Sequence, residues 1–457
     1  MQCCGSTRPK MIASKRVLVN GELIPATVTF KDGKITGIST GVSPEARDYG
    51  DFVILPGLVD AHVHLNEPGR TDWEGFETGT KAAASGGVTT VIDMPLNAIP
   101  PTTTVENFDT KLAAAKGQCW VDTGFWGGVI PGNSHELVPL IAKGVRGFKC
   151  FMMESGVEEF PAVSVEDIRL AMRTLEGHPT KLMFHAELDC SCGAHQHPQP
   201  SESDPEKYQT YLESRPDRLE VDAINTVLEI APTYPKLDLH IVHLASCQAV
   251  EHLRAAQAAG TKISVETCFH YLTLDAEHVP DGDTLYKCAP PIRNHSNQDG
   301  LWEALRSGVV TSIVSDHSPC TPNLKHLDTG DFMAAWGGIA SVGLGLTILW
   351  TQAEKRNLTL PEISRWTSHN TAAHVGLGHR KGSIEVGKDA DFCVFDPDTL
   401  WEFDQSKMFF KNKFSPYNGK KVRGKVVETI LAGETIYKFG CPFGQASGQL
   451  LVEPRSS

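Results

Sequence analysis

No run of about eighteen apolar residues occurs in this 457-residue chain, and a helix needs roughly that length to cross a membrane. A basic excess is missing too: 42 Lys and Arg stand against 55 Asp and Glu, a formal net charge of −13. Phosphate backbones bind to positive surfaces, so nucleic acid is not an expected partner, and the charge reads as solubility. Residues 1–15 lack the apolar centre of a secretory signal. The twelve cysteines follow no regular spacing, which argues against a disulfide framework. Cys150, Cys268 and Cys393 fall in apolar, strand-like runs, where a free thiol packs as a small hydrophobe. A reducing compartment, the cytoplasm, is expected, with the mitochondrion and the peroxisome as alternatives. Low-complexity tracts are absent as well; the nearest is the polar segment 190–207.

What remains is an ordinary globular composition, 40% hydrophobic and 21% charged, on a chain long enough for a large barrel with an appendage. The first fifty residues alternate apolar and polar side chains and are punctuated by Asn20-Gly21 and Asp32-Gly33, the pattern of hairpin strands. The same texture returns at 391–395, 426–431 and 435–437. Between these ends, short apolar runs alternate with helical periodicity, as parallel βα units do. Eight strands are expected, at 58–64, 89–93, 121–125, 147–150, 182–185, 239–243, 263–266 and 310–315. The fold class is therefore α/β. A (β/α)8 barrel over 56–379 is joined to a small β-sandwich-like domain built from 1–55 and 380–457.

The sharpest chemical signal is Asp60-Ala61-His62-Val63-His64. Residues two apart on a strand face the same side, so both imidazoles can point at one centre. Alone, His-x-His is weak. Its position is not, because a barrel gathers its active site at the C-terminal strand ends. Lys149, His185, His243 and Asp316 close other expected strands in the same way. Two further groupings stand apart. Cys190, Cys192, His195 and His197 could form a second metal site by ligand type, although a plain loop is the simpler reading. His270 is expected to orient a neighbour by hydrogen bonding.

This pattern resembles the cyclic amidohydrolases, a family that includes dihydroorotases, hydantoinases and allantoinases, over nearly the whole chain. Dihydroorotases carry Arg two residues past the second histidine to grip a carboxylate; this chain has Asn66. Residues 67–70, 73–75, 94–97, 148–151, 288–293, 315–320 and 335–338 are similar to the allantoinase branch. The resemblance implies that His62, His64, Lys149, His185, His243 and Asp316 bind two Zn2+ ions per chain. By ligand type, manganese, cobalt or iron would also suit. It implies that Lys149 is carboxylated by CO2 so that its carbamate bridges the ions, and that hydroxide activated by them opens the ring of allantoin, a small-molecule substrate, to allantoate. Asp316 would carry the proton, while Asn97, Ala289, Ser318 and Gly337 would hold the ring. A homo-oligomer, dimer or tetramer, is implied as well. The alternatives are a hydantoinase-type hydrolase and a non-catalytic scaffold of the same fold.

Overall fold

The computed structural model describes residues 10–189 and 204–455; the Cys190–His197 grouping lies outside them. The N-terminal segment forms β1 (Lys10–Val19), β2 (Glu22–Lys31), β3 (Lys34–Thr40), β4 (Arg47–Asp48) and β5 (Val53–Pro56). Asn20 and Gly21, at φ 51° and 83°, turn β1 into β2. Both sit in the left-handed region that this tight hairpin turn requires.

The barrel strands follow: β6 (Leu58–Val63), β7 (Val88–Asp93), β8 (Asp122–Phe125), β9 (Gly127–Gly128), β10 (Phe148–Phe151), β11 (Lys181–His185), β12 (Asp238–Ile241), β13 (Ile263–Cys268) and β14 (Ser312–Val314). They pair in parallel as two arcs, β6-β7-β8 and β9 through β14. The arcs meet at both seams. Arg146 N–H donates to Phe125 O at 2.8 Å, and Val63 bridges to His317 just past β14. A parallel sheet is covered on both faces, which is why β6 and β7 are buried at every residue.

Helices such as Phe76–Ser85, Val165–Leu175 and Asp217–Ile230 connect the strands. The first begins at Phe76, where Glu67 Oε2 accepts the Phe76 N–H at 2.9 Å, and leaves Trp73 in the preceding loop.

The chain then returns through β15 (Phe392–Glu402), β16 (Lys421–Leu431) and β17 (Glu434–Lys438). These join the N-terminal strands in one eight-stranded sheet, ordered β17-β16-β15-β5-β1-β2-β3 with β4 on β1. This sheet has its own apolar cluster, including Val28, Phe30, Ile54 and Phe392. Lys381 fixes it to the barrel: its Nζ lies 2.6 Å from Asp122 Oδ2 at β8 and 2.7 Å from Asp391 Oδ2 beside β15.

Candidate metal centre

All six predicted ligand side chains are buried and converge at the C-terminal strand ends. His62 is the penultimate residue of β6 and His64 follows the strand; Lys149 lies in β10 and His185 ends β11; His243 and Asp316 stand two residues past β12 and β14. Asp316 Oδ1 lies 3.0 Å from His62 Nε2 and 3.4 Å from His64 Nε2. Lys149 Nζ lies 3.1 Å from His62 Nε2, and His185 Nδ1 lies 3.1 Å from His243 Nε2.

Local backbone conformation aims these groups inward. His243 and Asp316 have φ of 39° and 44°, a left-handed setting that costs non-glycine residues about 1–3 kcal/mol and persists where surroundings enforce it. The enforcement is visible. His64 N–H donates to His317 O at 2.8 Å, while Ser315 N–H donates to Asp60 at 3.2 Å, so the ends of β6 and β14 are locked together. His317 itself accepts the N–H groups of Ser341 and Val342 at Nδ1 and meets Glu74 through Nε2 at 2.9 Å.

Electrostatics show whether cations suit the place. Burial lowers the His64 imidazole to about 3 and the Lys149 ammonium to about 8. Both are thus biased toward neutral, lone-pair-bearing forms. Asp316 stays well below the ordinary carboxylate range despite burial, because His62 and His64 face it. Glu187 and Glu266 fall to about 2 despite burial, the former mainly through Arg215 and the latter through His62. The His64 lone pair and the ionised Asp316 carboxylate therefore share one dry volume with His62, which Asp316 and Glu266 hold above its ordinary pKa despite burial, and ligand atoms of His62, His64 and Asp316 all lie within 4.8 Å of one another. His243 Nδ1 has no hydrogen-bond partner among the described residues. This donor set fits divalent cations of the zinc type.

The adjoining cavity, about 280 Å³, is lined by His64, Lys149, His185, His243 and Asp316, but not by His62. Asn97, Ala289, Ser318 and Gly337 line the same cavity. A Cβ on Gly337 would sit 3.7 Å from the Ala289 Cβ, so these two backbones are neighbours. Gly338 is obligatory, since a Cβ there would meet Ser318 O at 2.2 Å. Asn97 Nδ2 lies 3.3 Å from His64 Nδ1, so the side chain expected to face a ligand also steadies an imidazole.

Sequence reasoning passed over Glu266, Glu187, Arg215 and Lys287. Glu266 Oε1 lies 2.6 Å from His62 Nδ1, and Glu187 Oε2 lies 2.6 Å from His185 Nε2. The available signal was periodicity: Glu187 is two residues beyond His185, and Glu266 belongs to the seventh expected strand. His270 departs from expectation. Its ring lies near Cys268 and Asp316, yet neither nitrogen has a hydrogen-bond partner among the described residues, so it orients no neighbour in that way. Phe269–Thr273 turns into a short helix directly after β13, and that turn sets the ring's direction.

Comparison with known proteins agrees with this architecture. The sequence profile of the amidohydrolase family matches residues 53–436. The chain is 52% identical to an allantoinase of Saccharomyces cerevisiae, covering 93% of this chain and 95% of that one. It is 45% identical to an allantoinase of Streptomyces avermitilis, covering 96% and 98%. Among solved structures, an L-hydantoinase (dihydropyrimidinase) from Arthrobacter aurescens superposes with a TM-score of 0.90 at 28% identity, covering 97% of this chain and 99% of that one. With candidate ligand side chains converging on strand ends and matches that span nearly its whole length, this chain belongs to the amidohydrolase family, on the branch formed by the allantoinases.

Proposed function

We propose that the chain hydrolyses the ring amide of allantoin to give allantoate, with His62, His64, Lys149, His185, His243 and Asp316 holding two Zn2+ ions. The observation that carries this reading is the meeting of six side chains from five strand ends within one buried volume. Its specificity for allantoin rests on the likeness to allantoinases at up to 52% identity over most of the chain. Bound divalent ions would supply a lowered pKa for water and polarisation of the amide carbonyl.

The chain's own residues supply the rest. Lys149, biased toward the neutral amine by burial, can add CO2 with release of one proton, and the resulting carbamate would offer two oxygens sharing one negative charge where an ammonium would repel cations. Asp316, held ionised, accepts the proton of the attacking water and returns it to the departing ring nitrogen. Asn97, Ser318 and the backbones of Ala289 and Gly337 line the cavity and would hold the ring in register. Trp336 and Phe151, from the same lining, exclude bulk water. The family likeness also supports a homo-oligomer, which sedimentation velocity measures.

A substrate panel tests the proposal: allantoin, hydantoin, dihydrouracil and dihydroorotate, with elemental analysis of the purified protein. Allantoin should be turned over fastest, with two ions per chain. Preferred turnover of hydantoin or dihydrouracil would move the chain to the hydantoinase reading. An inactive, metal-free protein would favour a scaffold.

A further inference from the structure

Each half of the proposed centre contains one imidazole backed by a buried carboxylate and one that is not. Beside β6, His62 Nδ1 meets Glu266 Oε1 at 2.6 Å, whereas His64 Nδ1 meets only the Asn97 amide, at 3.3 Å. Beside β11 and β12, His185 Nε2 meets Glu187 Oε2 at 2.6 Å, whereas His243 Nδ1 meets nothing among the described residues.

Both carboxylates are themselves held. Glu187 receives Arg215 Nε at 3.1 Å and Nη2 at 3.0 Å. Glu266 Oε2 lies 3.2 Å from His240 Nε2, whose Nδ1 lies 2.8 Å from Ser264 Oγ. Neither glutamate lines the cavity, and both are fully buried. They therefore do not reach substrate, and their chemistry is directed at the rings, with the His243 backbone N–H a further, more distant donor to Glu266 Oε1 at 3.4 Å.

A carboxylate that accepts a ring N–H fixes the tautomer, leaves the opposite nitrogen as a lone pair and raises its basicity. In His62 the opposite nitrogen faces Lys149 Nζ and Asp316 Oδ1 at 3.1 and 3.0 Å. In His185 it faces His243 Nε2 at 3.1 Å. The two imidazoles are thus presented through different atoms, Nε2 in one and Nδ1 in the other, and in each case the glutamate dictates which.

We propose that Glu266 and Glu187 are positioning residues that set metal retention independently: Glu266 for the ion held by His62 and His64, Glu187 for the ion held by His185 and His243. This rests on the two-ion reading above.

The test uses full-length protein: wild type, Glu266→Gln, Glu187→Gln and the double variant, dialysed against graded chelator, with metal counted per chain. Glutamine keeps the volume and an acceptor oxygen while removing the charge. Each single variant should keep one ion at chelator levels where wild type keeps two, with affinity for the other about 10- to 100-fold weaker. The double variant should keep neither under the same conditions. Cobalt-loaded protein gives a second readout, since each single change should alter only part of the visible absorption.

Melting of the metal-stripped forms separates this effect from misfolding. If Glu187→Gln fails to fold because Arg215 is left unpaired, Glu187→Gln combined with Arg215→Met removes both charges. Two ions retained at wild-type affinity in both single variants would overturn the proposal, as would both ions leaving together from either. A wild-type count below two would overturn the two-ion reading first, and it shows in the wild-type sample alone.

Discussion

Lys149 carries the largest single expectation at the level of one side chain. Its Nζ lies in a dry strand end, 3.1 Å from His62 Nε2 and within reach of the Asp316 and Glu266 charges. Burial lowers it to about 8, which leaves an appreciable fraction neutral and reactive toward CO2 near neutral pH. Replacing it by alanine should abolish retention of both ions and lower kcat by about a thousand-fold or more, the equivalent of several kcal/mol of lost charge stabilisation. Elemental analysis and steady-state turnover of allantoin check this together, and an alanine variant with full metal content would contradict the bridging role. The ligands were legible in the sequence because their chemistry and strand-end spacing coincide. Of Glu266 only the strand position could be read, not what it faces, because barrel closure alone brings it to His62.

The loop from Met333 to Gly338 shows how an element's shape is set from outside itself. It forms one wall of the cavity, yet it has no regular secondary structure. Two lysines hold it instead. Lys325 Nζ donates to Trp336 O at 3.0 Å, to Lys287 O at 3.3 Å and to Gly338 O, while Lys287 Nζ donates to Met333 O at 3.0 Å and Ala335 O at 2.5 Å. Lys325 is 1% exposed, and burial lowers its pKa. Lys325→Met should leave those carbonyls unpaired at about 1–3 kcal/mol each. The expected outcome is a lower melting temperature together with a raised KM for allantoin, while metal content stays at the wild-type level. An unchanged KM would mean that the wall keeps its shape without the ammonium. Nothing in the sequence announced this arrangement. By contrast, the hairpin at Asn20-Gly21 was plain, because a turn of that kind is written in two adjacent residues, whereas a lysine reaching across a loop is not.

Across the whole molecule, burial of neutral histidines ties stability to pH. The barrel interior holds His240 and His270, and burial lowers each from an ordinary 6.5 to about 4. Above pH 6.5 both stay neutral whether the chain is folded or not, so they cost nothing. As pH falls below 6.5 the unfolded chain takes up protons that the folded chain refuses, and stability drains until the folded pKa near 4 is reached. Each group contributes about 3 kcal/mol to that loss, from 1.36 kcal/mol per pKa unit. Metal-stripped protein should therefore melt progressively lower between pH 6.5 and 4, and the fall should begin well before carboxylates titrate. Part of the slope belongs to His270 specifically, since neither of its nitrogens has a partner among the described residues. His270→Gln removes the titrating group while keeping a polar side chain in the short helix after β13. Its melting temperature should fall less steeply over the same window than that of the wild type, measured on metal-stripped protein in both cases. A variant that follows the wild-type slope throughout would show that His270 charges without unfolding the chain, and the acid sensitivity would then have to arise elsewhere in the barrel.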